Sequence, residues 1–80
     1  MKLYLKSGQI ILLKDLETVD LNDVQYGVGN NYDDDKDDEH IYRQEIYHLC
    51  SQNIGNIIEF YYGDCNVFVT NTSEIVGIEV

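Results

Sequence analysis

Residues 32–40 read YDDDKDDEH, and this stretch separates two groups of apolar segments in the 80-residue chain. Six carboxylates and one lysine follow one another over residues 33–39, which we call the acidic run. Burying even one unpaired carboxylate costs several kcal/mol or more, so the acidic run cannot belong to a core. It must lie in water, on a metal ion or against a basic partner. We therefore expect this stretch to be a loop.

The composition predicts one small folded domain over residues 1–80. A chain of this length buries only about 60–65% of its unfolded surface, which leaves no room for a second domain. Hydrophobic residues make up 44% of the chain, with seven tyrosines and two phenylalanines. A disordered acidic tail would lack this apolar material, so we expect a real core.

The charge of the chain is strongly negative. Fifteen acidic and five basic residues give a formal net charge of −10. The acidic run contributes −5 of this charge, six acids less one lysine. Such a protein is repelled by nucleic acid and by anionic membranes and is attracted to basic grooves. We therefore expect a basic protein partner, and neither direct nucleic-acid binding nor membrane binding.

The sequence also predicts a cytoplasmic location. No apolar stretch approaches the ~18–20 residues of a membrane span. Residues 1–6 are too short and too alternating for the apolar segment of a secretory signal. Without a targeting signal, Cys50 and Cys65 are expected to be reduced thiols rather than a disulfide, and both are expected in the core.

The N-terminal half predicts a β-hairpin. Lys2–Lys6 alternates polar and apolar residues, Ser7-Gly8 is a turn signal, and Gln9–Lys14 is rich in isoleucine and leucine. The second strand has four consecutive apolar residues, so we expect it to be internal and covered on both faces. Residues 15–23 fit an irregular crossing or one loose helical turn equally well. Val24–Val28 predicts a short strand before the acidic run.

The C-terminal half predicts a helix and then three strands. Capping by Asp37 or Asp38 would start the helix, and Gly55 would end it. The helix is predicted to bury an apolar stripe formed by Tyr42, Ile46, Leu49 and Cys50. The three strands that follow it are predicted at Ile57–Tyr62, Cys65–Thr70 and Glu74–Val80. The fold class is therefore α+β, in the order ββ, acidic loop, α, βββ. We expect one helix on an antiparallel sheet or half-open small barrel of about five strands.

No spacing in the sequence predicts a metal, a cofactor or a catalytic site. A calcium loop starting at Asp33 lacks the glycine and glutamate it needs, and one starting at Asp34 places Lys36 at a ligand position. His40 and His48 would lie about 12 Å apart along a helix, too far to share a zinc ion. No serine or cysteine has a histidine suitably placed to activate it. We therefore expect a protein that is not an enzyme.

The expected partner-binding surface combines the acidic run with nearby tyrosines, which are enriched at protein interfaces. Tyrosine is also common at half-exposed sheet positions, so a structural role is the competing interpretation for each ring. The predicted partner-binding residues are Tyr32, Asp33, Asp34, Asp35, Asp37, Asp38, Glu39 and Tyr47.

The first functional hypothesis is an inhibitor that mimics nucleic acid. Carboxylates in the acidic run approach the charge density of duplex DNA, one charge per ~1.7 Å of axis. Neighbouring aromatic rings could stand in for bases on stacking platforms. Such an inhibitor would fill the cationic groove of a DNA- or RNA-binding protein.

In size, acidity and absence of catalytic residues, the chain resembles small bacteriophage anti-defence proteins of the anti-CRISPR type. The resemblance rests on composition and on residues 32–39, without a shared motif. It implies a CRISPR nuclease or surveillance complex as partner, blocked where it reads its target DNA. It also implies the cytoplasm of an infected bacterial host.

The second hypothesis is a non-enzymatic structural or assembly module. Copies would form a homodimer through the exposed final strand and the tyrosine surface. The acidic run would then serve only to keep the protein in solution.

Overall fold

The described part of the chain contains eight strands and one short α-helix. The structure is a computed structural model, and it describes residues 1–29 and 40–80. The elements are β1 (Lys2–Leu5), β2 (Ile10–Leu12), β3 (Leu16–Leu21), β4 (Val24–Gly29), β5 (His40–Tyr42), α1 (Ile46–Gln52), β6 (Ile57–Tyr62), β7 (Asn66–Asn71) and β8 (Ile75–Glu79). Single turns of 3₁₀ helix precede α1 and β8, at Arg43–Glu45 and Thr72–Glu74.

The strands form two sheets. A three-stranded sheet has the order β2-β1-β8, and a five-stranded sheet has the order β5-β4-β3-β6-β7. All neighbours are antiparallel except β4 and β5, which are parallel. The predicted α+β class, with one helix and a sheet of about five strands, is confirmed at this coarse level. The predicted order ββ, α, βββ was wrong, because β3, β4 and β5 also precede the helix and β4 and β5 are parallel. The separate three-stranded sheet was not predicted.

β3 occupies the segment that the sequence left unassigned. The register between β3 and β6 shifts between Leu16 and Thr18, so a bulge breaks the regular alternation that identifies a strand. Asn22 and Asp23 have φ of 53° and 66° and form the two-residue turn into β4. Asparagine and aspartate tolerate this left-handed conformation better than most residues, which suits a tight hairpin.

The prediction that the second strand is internal was wrong. β1 pairs with β2 on one side and with β8 on the other, which leaves β2 at the edge of its sheet. Ile10 and Leu12 are therefore 53% and 63% exposed. Leu13, just after the strand, is buried, and its N–H donates to the Met1 carbonyl at 2.9 Å.

The helix begins later than predicted, because the residues before it pair with β4. His40–Tyr42 lies beside Gly27, Val28 and Gly29 as a parallel strand, and α1 starts only at Ile46. The Glu45 carboxylate accepts a hydrogen bond from the Tyr42 N–H at 3.1 Å. Asp37 and Asp38, the predicted caps, lie outside the described residues. The helix ends at Gln52, before Gly55.

The predicted apolar stripe is confirmed for the residues on α1, whereas Tyr42 is buried from strand β5 rather than from the helix. Tyr42, Ile46 and Cys50 are buried, and Leu49 packs partly buried against the same core. The core joins both sheets and α1 in one cluster, to which β3 and β6 contribute their inward-facing residues. The described residues include no helix of sufficient length and apolarity to cross a membrane.

The C-terminal hairpin is confirmed, but the last strand lies elsewhere than beside it. β6 and β7 pair without interruption from Ile57 opposite Asn71 to Tyr62 opposite Asn66. After the Thr72–Glu74 turn, β8 pairs with β1. The two ends of the described chain are thus adjacent strands of one sheet.

Thr72 connects the end of α1 to the start of β6. Among the described residues, Thr72 is the polar residue whose side chain is buried. Its hydroxyl donates a hydrogen bond to the Asn53 carbonyl at 2.6 Å. The same oxygen accepts from the Asn56 N–H at 3.2 Å. The Thr72 N–H donates to the Asn56 carbonyl at 2.9 Å. Three hydrogen bonds therefore fix the loop after α1 against the turn before β8.

Replacing Thr72 by valine tests this connection. Thr72→Val keeps the shape but removes the hydroxyl partner of Asn53 and Asn56, so we expect a loss of about 1–3 kcal/mol in the free energy of unfolding. Thr72→Ser keeps the hydroxyl and removes one methyl group, for which about 0.8 kcal/mol is expected. Urea denaturation measures both. A valine variant as stable as the serine variant would contradict the structural role of these hydrogen bonds.

Candidate protein-interaction surface

The structure describes one of the eight predicted partner-binding residues. Tyr47 lies on α1 and is 43% exposed. The other predicted residues, Tyr32, Asp33, Asp34, Asp35, Asp37, Asp38 and Glu39, lie outside the described residues. The chain enters residues 30–39 from Gly29, at the end of β4, and leaves them at His40, at the start of β5. Because β4 and β5 are neighbours, both points of attachment lie at the same edge region of the five-stranded sheet.

Tyr47 borders a cavity of about 270 Å³ between α1 and the start of β8. The Tyr47 carbonyl accepts a hydrogen bond from the Ser51 hydroxyl at 2.8 Å. The cavity lining includes Lys6, Cys50 and the exposed Ile54. Tyr47 is therefore accessible to a partner, but the described residues around it form a mixed apolar and polar surface rather than an acidic one.

A second cavity, of about 300 Å³, is acidic and was not identified from the sequence. Its carboxylates come from Asp20 on β3, Asp23 in the turn after β3, and Glu59 on β6. The remaining lining residues are Asn22, Gly55, Asn56 and Ile57, so no basic residue lines it among the residues that the structure describes. We call this cavity the anionic cleft.

The register of β3 and β6 explains the cleft. Val19 lies opposite Phe60 and Leu21 opposite Ile58, and all four side chains are buried. Successive side chains of a strand point to opposite faces, so Asp20 and Glu59 are turned to the outer face by the same pairing. The core residues thereby place two carboxylates side by side.

Asp20 and Glu59 are directly opposite each other in the ladder. Side chains at such positions have Cβ atoms about 4.5–5.5 Å apart, and like charges there are destabilising. The Glu59 carboxylate accepts a hydrogen bond from the Tyr61 hydroxyl at 3.0 Å. Two carboxylates beside a phenol suit a lysine ammonium or an arginine guanidinium, which donate strong hydrogen bonds to carboxylates.

The pKa of Tyr61 reflects this concentration of negative charge. It is raised above its ordinary value, first by the hydrogen bond to Glu59, then by desolvation, and then by the charges of Glu59 and Asp20. A neighbouring carboxylate disfavours the phenolate, which would be a second negative charge. Tyr4 shows the same effect in the other sheet, where its hydroxyl donates to Glu79 at 2.8 Å.

Apolar side chains continue the outer face beyond the cleft. The β6–β7 register places Val69 opposite Glu59 and Val67 opposite Tyr61 on this face. Both valines are about half exposed, and Ile57 and Tyr61 are 57% and 37% exposed. The surface therefore places carboxylates beside apolar side chains and an exposed tyrosine, a residue type that is enriched at protein interfaces.

The cleft and the rest of the described chain show no arrangement for a metal ion. Within residues 1–29 and 40–80, no group of three or more histidine, cysteine, aspartate or glutamate side chains is placed to hold one. His40 is partly buried, with its Nε2 enclosed and unpartnered among the described residues. Its ring meets that of Tyr42 edge-on, with centroids 5.4 Å apart.

The two cysteines occupy different environments. Cys50 is buried on α1, as expected, but Cys65 is exposed in the turn between β6 and β7, contrary to the expectation of a core thiol. Cys65 has φ of 67°, a turn conformation that directs the chain back into β7. Burial raises the pKa of the Cys50 thiol to about 11.

Comparisons with known proteins give no relative. No protein-family model matches the chain, no curated protein is significantly similar to it in sequence, and no solved structure is significantly similar to it in fold.

The raised pKa of Tyr61 can be tested by titration. Glu59→Gln removes the carboxylate charge, so the pKa of Tyr61 should fall while that of Tyr4 stays unchanged. Glu79→Gln should have the reverse effect, because Tyr4 is the ring that contacts Glu79. NMR chemical shifts of the two rings against pH report each pKa separately. If Glu59→Gln left the pKa of Tyr61 unchanged, the contact between these residues would be wrong.

Thiol labelling tests the environment of the cysteines. A pKa of about 11 leaves Cys50 with about a hundredfold less thiolate near neutral pH than an ordinary thiol. We therefore expect Cys65 to react quickly with a maleimide and Cys50 only on unfolding, as measured by mass spectrometry. Cys65→Ser should remove the fast reaction, and a fast reaction that survived in this variant would contradict the burial of Cys50.

Proposed function

We propose that this protein is a non-enzymatic inhibitor that binds the cationic nucleic-acid-binding groove of another protein. The observation that carries the proposal is the pairing of Asp20 with Glu59, directly opposite each other and without a basic residue in the cleft around them. Like charges at this position lower the stability of the folded chain. A lysine or arginine of a partner would relieve that repulsion and gain charge-assisted hydrogen bonds.

The charge of the chain supports the same partner class. The described residues carry nine acids and four bases, a net charge of −5, and the acidic run carries the other −5. The described residues are therefore anionic by themselves, and the acidic run doubles this negative charge. Electrostatic attraction of this kind accelerates association with a basic groove and weakens as salt is added.

The mechanism follows from the chemistry of the side chains. Carboxylates of the acidic run and of the anionic cleft take the positions of backbone phosphates, and exposed rings such as Tyr47 and Tyr61 cover the aromatic or arginine platforms on which bases stack. The groove is then occupied, and nucleic acid is excluded by competition. The resemblance to anti-CRISPR proteins makes a bacterial CRISPR nuclease or surveillance complex the proposed partner.

Affinity capture from a bacterial lysate tests the proposal. We expect the immobilised protein to retain a basic nucleic-acid-binding protein at low salt and to release it at high salt, because the attraction is screened. A double-stranded DNA competitor should release the same protein. Mass spectrometry identifies what is retained. Retention that salt and DNA leave unchanged would contradict a mimic of nucleic acid.

Three variants locate the binding charge. Replacing Asp33, Asp34, Asp35, Asp37 and Asp38 by asparagine should abolish most of the capture, and Asp20→Asn with Glu59→Gln should reduce it. The described core is built from other residues, so both variants should retain their circular dichroism spectra. Asp64→Asn with Glu74→Gln, two exposed residues outside the cleft, removes the same charge as the cleft variant and should change little.

The outcomes separate the alternatives. Undiminished capture by the variant of the acidic run would overturn the proposal and favour a role of that run in keeping the protein in solution. Unfolding of the same variant would instead assign the acidic run a structural role. Equal losses in the cleft variant and its control would show that only net charge matters.

A further inference from the structure

β7 is an edge strand without the features that usually protect an edge. It ends the five-stranded sheet, and its sequence NVFVTN contains no charged residue, no proline and no glycine. Proteins commonly protect such edges with charges, prolines, bulges or very short strands. The described edge strands β2 and β5 have three residues each, and β8 ends on Glu79. Among the described edge strands, β7 is thus the longest, and it has neither the shortness of β2 and β5 nor the terminal charge of β8.

The hydrogen bond after β7 shows which of its backbone groups are free. The Thr72 N–H donates to the Asn56 carbonyl, so residue 72 points toward β6. Backbone groups of successive residues in an antiparallel strand alternate between its two sides. Because the β6–β7 register is unbroken, the N–H and C=O groups of Val67, Val69 and Asn71 point to the open side. They form a template for another strand.

The side chains of β7 are apolar on both faces. Val67 and Val69 are 50% and 51% exposed on the outer face. Phe68 lies on the core face, opposite Phe60, and is only partly buried because no further strand covers it. A strand placed beside β7 would therefore cover apolar surface on each face of the sheet.

We propose that β7 pairs antiparallel with β7 of a second copy of this chain, with the two-fold axis at Phe68. In this register Val67 faces Val69 of the second copy, and these pairs exchange the free N–H and C=O groups. Phe68 faces its own counterpart at a non-hydrogen-bonded position, where cross-strand side chains are closest. The five-stranded sheets of both copies become one continuous sheet.

The sequence of β7 favours a second copy over an unrelated strand. A two-fold interface requires one segment to be complementary to itself. In β7, the valines on either side of Phe68 would pair with each other on the outer face, and Phe68 would meet its counterpart on the core face. Two copies that each carry a charge of −10 repel one another over most of their surfaces. The uncharged edge of β7 is where they approach with the least repulsion.

The resulting dimer is concentration-dependent. One six-residue strand per copy is a small interface beside the ~1,200–2,000 Å² buried in stable complexes. Sedimentation equilibrium should show an average mass that rises with protein concentration from 9.3 kDa toward twice that value. In NMR hydrogen exchange, the amides of Val67 and Val69 should become more protected as the dimer forms. A chain that stays monomeric at every concentration would overturn the proposal.

Two substitutions in β7 should prevent the dimer without disturbing the monomer. Val69→Pro removes an N–H that points away from β6, so no hydrogen bond within the sheet is lost. Val69→Ala keeps that N–H and should still dimerise, more weakly. Val67→Glu places a carboxylate at the interface, and Val76→Glu, on β8, adds the same charge at an equally exposed valine elsewhere. Thermal denaturation by circular dichroism verifies that each variant is folded.

These variants decide where the contact lies. Loss of the dimer in Val69→Pro and Val67→Glu, with dimerisation retained in Val76→Glu, supports pairing through β7. A dimer that survives both β7 substitutions overturns the proposal, and its loss in Val76→Glu alone would place the interface on β8.

Salt separates this proposal from the proposed function. Raising NaCl from about 50 mM to about 500 mM screens the repulsion between copies and should strengthen the dimer. The same change should release a basic partner. Each proposal can therefore fail while the other holds. A dimer that forms without salt-sensitive capture of a partner would support only the dimer, and salt-sensitive capture by a chain that stays monomeric would support only the proposed function.

Discussion

The pairing of β3 with β6 is the constraint on which the rest of the structure depends. It joins residues on either side of the acidic run, and it packs Val19 and Leu21 with Phe60 and Ile58 in the core. The same register turns Asp20 and Glu59 to the outer face. Sliding one of the two strands by one residue would turn its carboxylate into the core and its apolar residues to the outer face, so burial of the apolar face enforces the anionic cleft. Core and candidate site are two consequences of one strand pairing.

Charge is distributed unevenly over this small protein. Half of the net charge lies in the acidic run, and three acids among the described residues surround one cleft. β7, by contrast, carries none. This segregation permits two kinds of contact with opposite responses to salt. Attraction to a basic groove is screened by added ions, whereas pairing of two negative copies through a neutral edge is helped by them.

The short helix depends on its surroundings. Isolated helices below about 12–15 residues are marginal in water, and α1 has seven residues. Burial of Ile46 and Cys50 holds one side of α1 to the core, and the hydrogen bonds of Thr72 fix the loop after it. The exposed side of α1 can therefore present Tyr47 from a defined position.

By itself, the sequence determined the elements whose patterns are local. The first hairpin, the C-terminal hairpin and the buried helix positions Ile46 and Cys50 follow from alternation, turn residues and helical spacing, which act over a few neighbouring residues. The charge of the acidic run is equally a property of the sequence. It could be assigned to a partner-binding surface without knowledge of the fold, and that assignment remains a prediction.

Tertiary structure decided which strands became neighbours. β3 was missed because the bulge after Leu16 breaks the alternation, and the start of the helix was misplaced because pairing with β4 holds His40–Tyr42 as a strand. β2 became an edge because β8 returns from the far end of the chain to pair with β1. Asp20 and Glu59 are 39 positions apart (59 minus 20), and no local pattern relates them. Only long-range strand pairing, driven by burial of a shared core, brings them together.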